Sequence, residues 1–428
     1  MRRMVMVLGM LVVCLSILVA GGSKEKTEAD RPVQIRFLSF WTGGPKEKFD
    51  LLLQDYSKSH PRVSFIHEGI VGGSAQYQQV LQTQLAAGIG PDMFGQWGGS
   101  LMNAIIDAGY AENLEPYYSK YNWDQLIPEW ISQRIRRHGN RYGLPFMATV
   151  QAFWYRKDVF DKLGFSIPKT YAEVEAQAQK AKEAGYYYMS LGGVFGWHMG
   201  RLHDYLLEVA AGPAVHDALF TDNANWEHPG VIKSFELLKK WTDNWLPPGS
   251  VAVNPTDALI PFYMGQALCT INNNAFEITL KVEGTKDPQA KYDFFFQPTD
   301  HKPNRLASGP QQFMINSKST KKEAVAEFLN WYTQVDNQNR FFKEGWIDRT
   351  AVKGVVIDAT KLPLTAKFKE WADTKLEGTF TLNDQGLVPE MFQTLFEVQA
   401  QVITGALTPA QAGKRMQEAF VKWKASRK

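Results

Sequence analysis

Within about the first hundred residues the hydrophobic pattern alternates between two periods, and few architectures accommodate that order. Val33, Ile35 and Phe37 alternate with Gln34 and Arg36, the two-residue period of a strand, and Thr42-Gly43-Gly44-Pro45 ends it. Phe49, Leu52, Leu53 and Tyr56 then recur at helical spacing up to His60-Pro61, and Val63 to Ile70 reads as a second strand. The unit repeats. Tyr77, Val80, Leu81 and Leu85 mark one face of a helix, Gly88 and Gly90-Pro91 stop it, and Asp92 to Trp97 is short enough for a buried strand. Strand, helix, strand requires a crossover, and crossovers join parallel strands. The expected class is α/β, with an open sheet whose ligands sit beyond the carboxyl ends of its strands, here Trp41 and Gln96-Trp97.

The chain has 428 residues, and at roughly 100–200 residues per domain two lobes are expected. Residues 1–22 read as a secretory signal: Arg2 and Arg3, an apolar run from Met4 to Ala20 that is short for a membrane span, then small residues. Residues 23–30 read as a polar linker. The mature protein is expected in the periplasm or cell envelope. Val19-Ala20-Gly21 opens like a lipoprotein cleavage box, but Gly22 stands where the lipidated cysteine belongs, which counts against a lipid anchor. Cleavage removes two of 47 basic residues and no acid, leaving 45 against 44, a formal charge of +1. That balance argues against nucleic-acid binding and polybasic membrane contact. Cys14 lies in the signal and Cys269 stands alone beyond it, so no internal disulfide forms after cleavage, as suits a bacterial envelope protein. Cys269, within Ala267 to Ile271, reads as a small buried hydrophobe of a strand.

Although 21% of residues are charged, Tyr142 to Tyr155 is fourteen residues with no formal charge, ending in Phe153-Trp154-Tyr155. Further on, Thr170 to Glu173 and Thr320 to Glu323 are capping boxes, and Thr408-Pro409 opens a final helix with Pro at its first position.

No nucleophile elbow, zinc-protease or phosphate-loop motif occurs. His198 and His203 are five apart and face differently on a helix, so no metal pair is expected, and no cofactor either. Carboxylate pairs for sugar hydrolysis can come from distant segments and stay open, as does ferric-ion binding by Tyr117-Tyr118 or Tyr186 to Tyr188. Tryptophan beside glycine is the stronger pattern. Trp41, Trp97, Trp197 and Trp346 each adjoin or closely precede glycine, and a ring there can meet the apolar face of a sugar while amides bond its hydroxyls. Gln96, Gln311, Gln312 and Asn272 to Asn274 could supply the amides, and Asp348 follows Trp346. Without an obvious arginine clamp, a neutral sugar is favoured over an acidic one.

The order of these pieces resembles the family 1 extracellular solute-binding proteins, the sugar receptors of bacterial ABC transporters, over about residues 31 to 425. The resemblance is carried by Ile35 to Trp41, Leu85 to Met93, Tyr142 to Phe160, Phe262 to Ala267, Phe313 to Asn316 with Ala324 to Trp331, and Leu407 to Ala410. It implies two lobes of the periplasmic binding protein fold (type II-like), each an open, mostly parallel sheet flanked by helices, with the ligand cleft between them. The uncharged stretch then becomes a hinge strand along the cleft floor, crossing near Ala148–Gln151, where an unpaired charge would be costly to desolvate. Return crossings near Tyr292 and Thr320 would give lobe one as 31–148 plus 293–320 and lobe two as 149–292 plus 321–428.

Carried over by resemblance, Trp41, Gln96 and Trp97 are first-lobe cleft residues, Thr149 a floor residue and Gln311 a cleft-facing residue. Asn273 and Asn274 stand where family members often place Gly and a stacking aromatic, leaving Trp197 or Trp346 as substitutes, and Asp348 is a further ligand-binding candidate. The resemblance implies a monomeric receptor that closes on a carbohydrate without altering it and presents it to a membrane permease. An exported glycosidase or lyase, and a ferric-ion binder, are the alternatives.

Overall fold

The computed structural model describes residues 31–71, 73–284 and 287–426; the expected signal and linker lie outside the described residues. The strands are β1 (Val33–Ser39), β2 (Val63–Gly69), β3 (Met93–Trp97), the short hairpin β4 (Arg136–Arg137) and β5 (Asn140–Arg141), β6 (Gly143–Arg156), β7 (Tyr187–Met189), β8 (Ala267–Asn273), β9 (Tyr292–Phe295), β10 (Arg305–Ile315) and β11 (Gly378–Thr381). The main sheet runs β2-β1-β3-β10-β6-β8-β7, with β11 beside β10 and β9 beside β6. β1 is parallel to β2 and β3, and β7 to β8, as the crossover helices require. The two long strands β6 and β10 run antiparallel to each other, and β10 also to β3 and β6 to β8, so the sheet as a whole is mixed.

β6 occupies the uncharged stretch, and all 14 of its residues are buried. Its first half pairs with β10 through Gly143–Val150, and its second half pairs with β8 and β9 from Gln151 onward, so the strand changes partners between Val150 and Gln151. The strand ends on its only charge. Arg156, 2% exposed, is met by Asp158 at 2.7 Å and Asp287 at 2.6 Å and donates to the Tyr263 carbonyl at 2.8 Å. Burial at that position is tolerable because the guanidinium is fully surrounded by acceptors.

Cores form on both sides of the switch. Ile35, Phe37, Phe49, Leu52 and Tyr56 make one with Leu144, Phe146 and Phe313. Phe153, Tyr155, Tyr188, Leu202, Trp241 and Phe295 make another. Between the helices Trp197–Ala218, Pro229–Asn244, Pro389–Thr404 and Pro409–Ser426 lies a third, around Trp226, Phe235 and Leu395.

Packing moves the expected lobe boundaries. β9 pairs with Phe153–Arg156 of β6, and Phe294 and Phe295 are buried in the second half's cores, so residues 293–304 stay there and the return lies within β10. The helix Lys322–Thr333 and its successor Val335–Lys343, expected in lobe two, instead bury Val325, Phe328, Leu329, Tyr332 and Phe341 against Phe37, Phe49 and Tyr56. Aromatic contacts hold them there: Phe328 meets Tyr56 at 5.2 Å and Tyr332 meets Phe313 at 5.4 Å between ring centroids. The chain rejoins the second half by the helix Pro363–Thr374, whose Phe368 packs with Phe294.

The capping boxes divide. Thr170 Oγ1 accepts from the Glu173 N–H at 3.2 Å, and Thr408 Oγ1 accepts from the Gln411 N–H at 3.3 Å while Gln411 Oε1 receives the Thr408 N–H at 2.8 Å. The Thr320 box does not form: Glu323 is taken by Tyr117 and Lys120 at 2.9 Å each, and no side chain caps Lys322–Thr333.

Candidate functional site

Where β6 changes partners, one face of the sheet becomes the floor of a cleft. Side chains alternate between faces of a strand, and residues paired across strands share a face. Trp97 is opposite Gln311, Gln311 opposite Met147, Thr149 opposite Gly309, and Gln151 opposite Asn273. Trp97, Gln311, Thr149, Gln151 and Asn273 therefore stand on the same face, contributed by four strands, and all five line a cleft of about 1120 Å³. Asn272 joins them at the rim of β8, its Oδ1 accepting the Asn273 backbone N–H at 3.0 Å.

The walls come from elements that the sheet ends support. The loop Gly193–Gly196 and Trp197, at the start of the Trp197–Ala218 helix, form one wall, with Trp197 38% and Phe195 62% exposed. Gly196 has φ +71 and lies so close to Phe396 that a Cβ would come within 2.3 Å of its ring, which fixes glycine there on both grounds. Phe392, Gln393, Phe396, Glu397 and Ala400 of Pro389–Thr404 continue the wall, the helix adjoining that loop where Phe396 packs on Gly196.

One helical turn beyond Trp197, Arg201 is 7% exposed and reaches the cleft. Its guanidinium donates to Asp384 at 2.9 and 3.1 Å and to Asp204 at 3.1 Å. Burial works against that charge, but the two carboxylates prevail and hold it protonated beyond its ordinary range. Asp204 is completely buried and its pKa is pushed up to about 6 by burial, against the pull of Arg201. His198 is depressed to about 3 by burial and by Arg201, and stays neutral. Arg349 also reaches the cleft, with its Nε 3.1 Å from Asp348.

Of the residues expected at the site, Trp97, Thr149, Trp197, Asn273 and Gln311 are brought together, and the others are not. Gln96 points from the opposite face of β3, is fully buried, and exchanges amide bonds with Gln78 at 2.8 and 3.1 Å. Gln312 shares that reverse face and lies against Gly143. Trp41 packs among Phe49 at 4.6 Å and Phe146 at 5.2 Å, because its strand ends over the first core. Trp346 stacks on Phe341 at 6.0 Å, carried there with the displaced helices. Asn274 turns away from the cleft to hold β6 at the switch, accepting the Val150 N–H at 3.3 Å and donating to the Ala148 carbonyl at 3.4 Å. With Asp348 it lines a separate small cavity of about 40 Å³.

Gln151, Arg201, Arg349, Asp384, Phe195 and Phe396 went unread in the sequence. Gln151 had a signal, since it lies two residues past Thr149 and so on the same face. Arg201 and Asp384 are 183 positions apart, and no local pattern connects them. The expectation of a cleft without arginine is corrected: two line it, both already paired with carboxylates.

Comparison with known proteins agrees with this architecture. The chain is 24% identical over 330 residues to an uncharacterized ABC transporter extracellular-binding protein of Pyrococcus horikoshii, covering 75% of this chain and 73% of that one. It is 27% identical over 211 residues to a probable sugar-binding periplasmic protein of Mesorhizobium japonicum, covering 48% of this chain and 50% of the relative. Among solved structures, a chitin oligosaccharide binding protein superposes with a TM-score of 0.79 at 21% identity, covering 91% of this chain and 98% of that one. A solute-binding protein solved with raffinose gives a TM-score of 0.73 at 18% identity, over 91% and 98%. These similarities establish the two-lobed periplasmic binding protein fold. The sequence pattern of the bacterial extracellular solute-binding proteins matches residues 43–339, and the chain belongs to that family.

Proposed function

We propose that the protein captures a carbohydrate outside the cytoplasm and delivers it to the membrane permease of an ABC transporter. The observation that carries this reading is the floor face: amides, a hydroxyl and an indole from four strands meet in one cleft under an exposed tryptophan. Such a surface offers donors and acceptors to hydroxyls and a flat apolar face to sugar C–H groups. The relatives support it, since one is named for sugar binding and structural neighbours for chitin oligosaccharide and raffinose.

Cleft closure follows from the position of the site. Trp97 and Gln311 belong to the first half, Trp197 and Asn273 to the second, so a ligand touching all four stabilises the closed arrangement over the open one. The ligand leaves unchanged. Asp384 is held by Arg201 and Glu397 by Arg415 at 2.9 Å, an arrangement suited to anchoring hydroxyls and not to an acid and nucleophile pair. The protein acts in the periplasm or envelope as a single copy, and among the described residues no helix is long and apolar enough to cross a membrane.

Tryptophan fluorescence titrated with mono- and oligosaccharides, with thin-layer analysis of the same mixtures, tests this reading. A saturable change with the sugar intact is expected. Sugar breakdown, or a flat response to the whole panel, would overturn it.

A further inference from the structure

Resting on the receptor reading for its effect on affinity, we propose that a latch joins the two halves beside the sugar cleft: Ser100 and Arg134 of the first half grip residues 378–387 of the second, and their grip sets how firmly the cleft stays closed.

The junction follows from how β10 is shared. Ser308 pairs with Val150 of β6 on one edge and with Thr381 of β11 on the other, so β11 lies on the same edge as β3, which pairs farther along from Gln311 to Ile315. β3 is antiparallel to β10 and β11 is parallel to it, so their carboxyl ends run towards each other. They meet at Pro310, whose carbonyl accepts the Gly98 N–H at 3.0 Å. Each strand then leaves into a helix, Ser100–Asp107 in the first half and Asn383–Gly386 in the second. The two turns are pressed together: Gly99 has φ +78, and a Cβ there would stand 2.2 Å from the Gln385 carbonyl oxygen.

The first half reaches across this junction at three points. The Ser100 hydroxyl lies within donating reach of the Gln385 carbonyl, at 3.1 Å, and of the Leu387 carbonyl. Leu101 is 3% exposed and belongs to the third core, together with Leu387 and Phe392 of the second half. Arg134 donates to the Thr379 hydroxyl at 3.0 and 3.2 Å, and also to the Thr379 carbonyl and the Thr381 hydroxyl. The second half holds the same segment through Arg201 on Asp384 and Asp204 on the Asn383 N–H. Ser100, Gly386 and Leu387 line a groove of about 470 Å³ that is separate from the sugar cleft, and neither Ser100 nor Arg134 lines the cleft itself. Both are therefore positioning residues, acting on the sugar through the segment they hold.

The grip is reversible because its strongest member is costly to bury. Arg134 is met by threonine groups rather than carboxylates, and burial holds its pKa below the ordinary value against the pull of Asp217. That cost offsets much of what the bonds contribute, and water takes the guanidinium back when the halves part. A closed form favoured by a small margin is one that a ligand can shift.

The apparent affinity for sugar is that of the closed form weighted by its share of the population, so weakening the latch moves one of two observables. Small-angle X-ray scattering on the sugar-free protein reads the first, and stopped-flow tryptophan fluorescence with glucose, galactose, xylose, maltose, cellobiose and raffinose reads the second. The variants are Ser100→Ala, Arg134→Ala and Thr379→Val, the last keeping a β-branched side chain in its strand. Where the sugar-free protein is mostly closed, each should raise the radius of gyration. Where it is mostly open, Ser100→Ala should lower affinity by about 5-fold and Arg134→Ala by about 10-fold, through faster release, by the same factor for every sugar that binds. Adding Thr379→Val to Arg134→Ala should change nothing further. Variants that match the wild type in both observables, or an affinity loss that differs from sugar to sugar, overturn the latch and leave the receptor standing. No response of the wild type to any sugar overturns the receptor reading, and the radius of gyration then decides the latch by itself, an unchanged value overturning it.

Discussion

Replacing Asp204 with Asn should change how the stability of the protein depends on pH, and by an amount the structure sets. Asp204 is completely buried beside Arg201, and its carboxyl is raised from 3.8 to about 6 by burial, with Arg201 pulling the other way. A raised folded value means that the neutral form suits the folded state better than the charged one. The favourable contribution is therefore complete below about pH 4, declines as pH rises through about 6, and is gone above it. A displacement of about 2 pH units at about 1.4 kcal/mol each amounts to about 3 kcal/mol between pH 4 and pH 8. Asparagine does not titrate, and its one oxygen serves either Arg201, which bonds Asp204 Oδ2, or the Asn383 N–H, which donates to Oδ1 at 3.1 Å, so the substitution also carries a pH-independent cost. Urea unfolding of both proteins at pH 4 and pH 8 gives the difference directly, and the titrations of groups not coupled to Asp204 cancel in it. Relative to the wild type, Asp204→Asn should gain about 3 kcal/mol on going from the acid to the alkaline buffer, whatever constant offset the substitution brings. An unchanged difference at the two pH values would refute the claim that Asp204 is held out of water against its charge.

The opposite sign is expected at Glu208. Burial pushes its carboxyl up, but bonds from His216 and Arg305, each at 2.8 Å, outweigh it and hold the pKa below the ordinary value, so its contribution is present above about pH 4.5 and lost as pH falls. Glu208→Gln should flatten the acid limb of the unfolding curve and leave the neutral region less stable than wild type. Trp346→Ala removes a half-buried ring from the first core and should lower stability by about 2 kcal/mol in thermal unfolding while sugar affinity stays the same. Gln151→Ala should do the reverse, weakening every sugar that binds, monosaccharides included, by about 10-fold, as calorimetry would show, because it removes one partner of a buried hydrogen bond. If Trp346→Ala weakens binding and Gln151→Ala does not, the cleft has been assigned to the wrong face.

The sites that were misplaced share a cause. Gln96 and Trp97 are neighbours at the end of one strand, and the pattern Asp92 to Trp97 places them there without saying which faces the ligand. Parity is set by pairing: Trp97 falls opposite Gln311 and Gln96 opposite Gln312, and the helix carrying Gln78 covers the second face. Trp41 and Trp346 both adjoin loops, as Trp197 does. Their rings differ in fate because the first core has aromatic residues to receive them, while Trp197 meets His198, stacked at 5.0 Å, and the Arg201 guanidinium at 5.9 Å beside the cleft.

Whatever depends on near neighbours is legible along the chain. The two-residue and helical periods specify the opening strands and helices, Thr170 and Thr408 start helices as their hydrogen-bonding side chains dictate, and an uncharged run of fourteen residues has to be interior. Which half receives Lys322–Thr333 is settled by packing, since its apolar face would suit any core and the ring contacts with Tyr56 and Phe313 select one. The same holds for the charge state of the cleft. Arg201, Asp204 and Asp384 acquire their roles from the fold that brings them within 3.1 Å, and a charge has no partner in the sequence until the chain has folded around it.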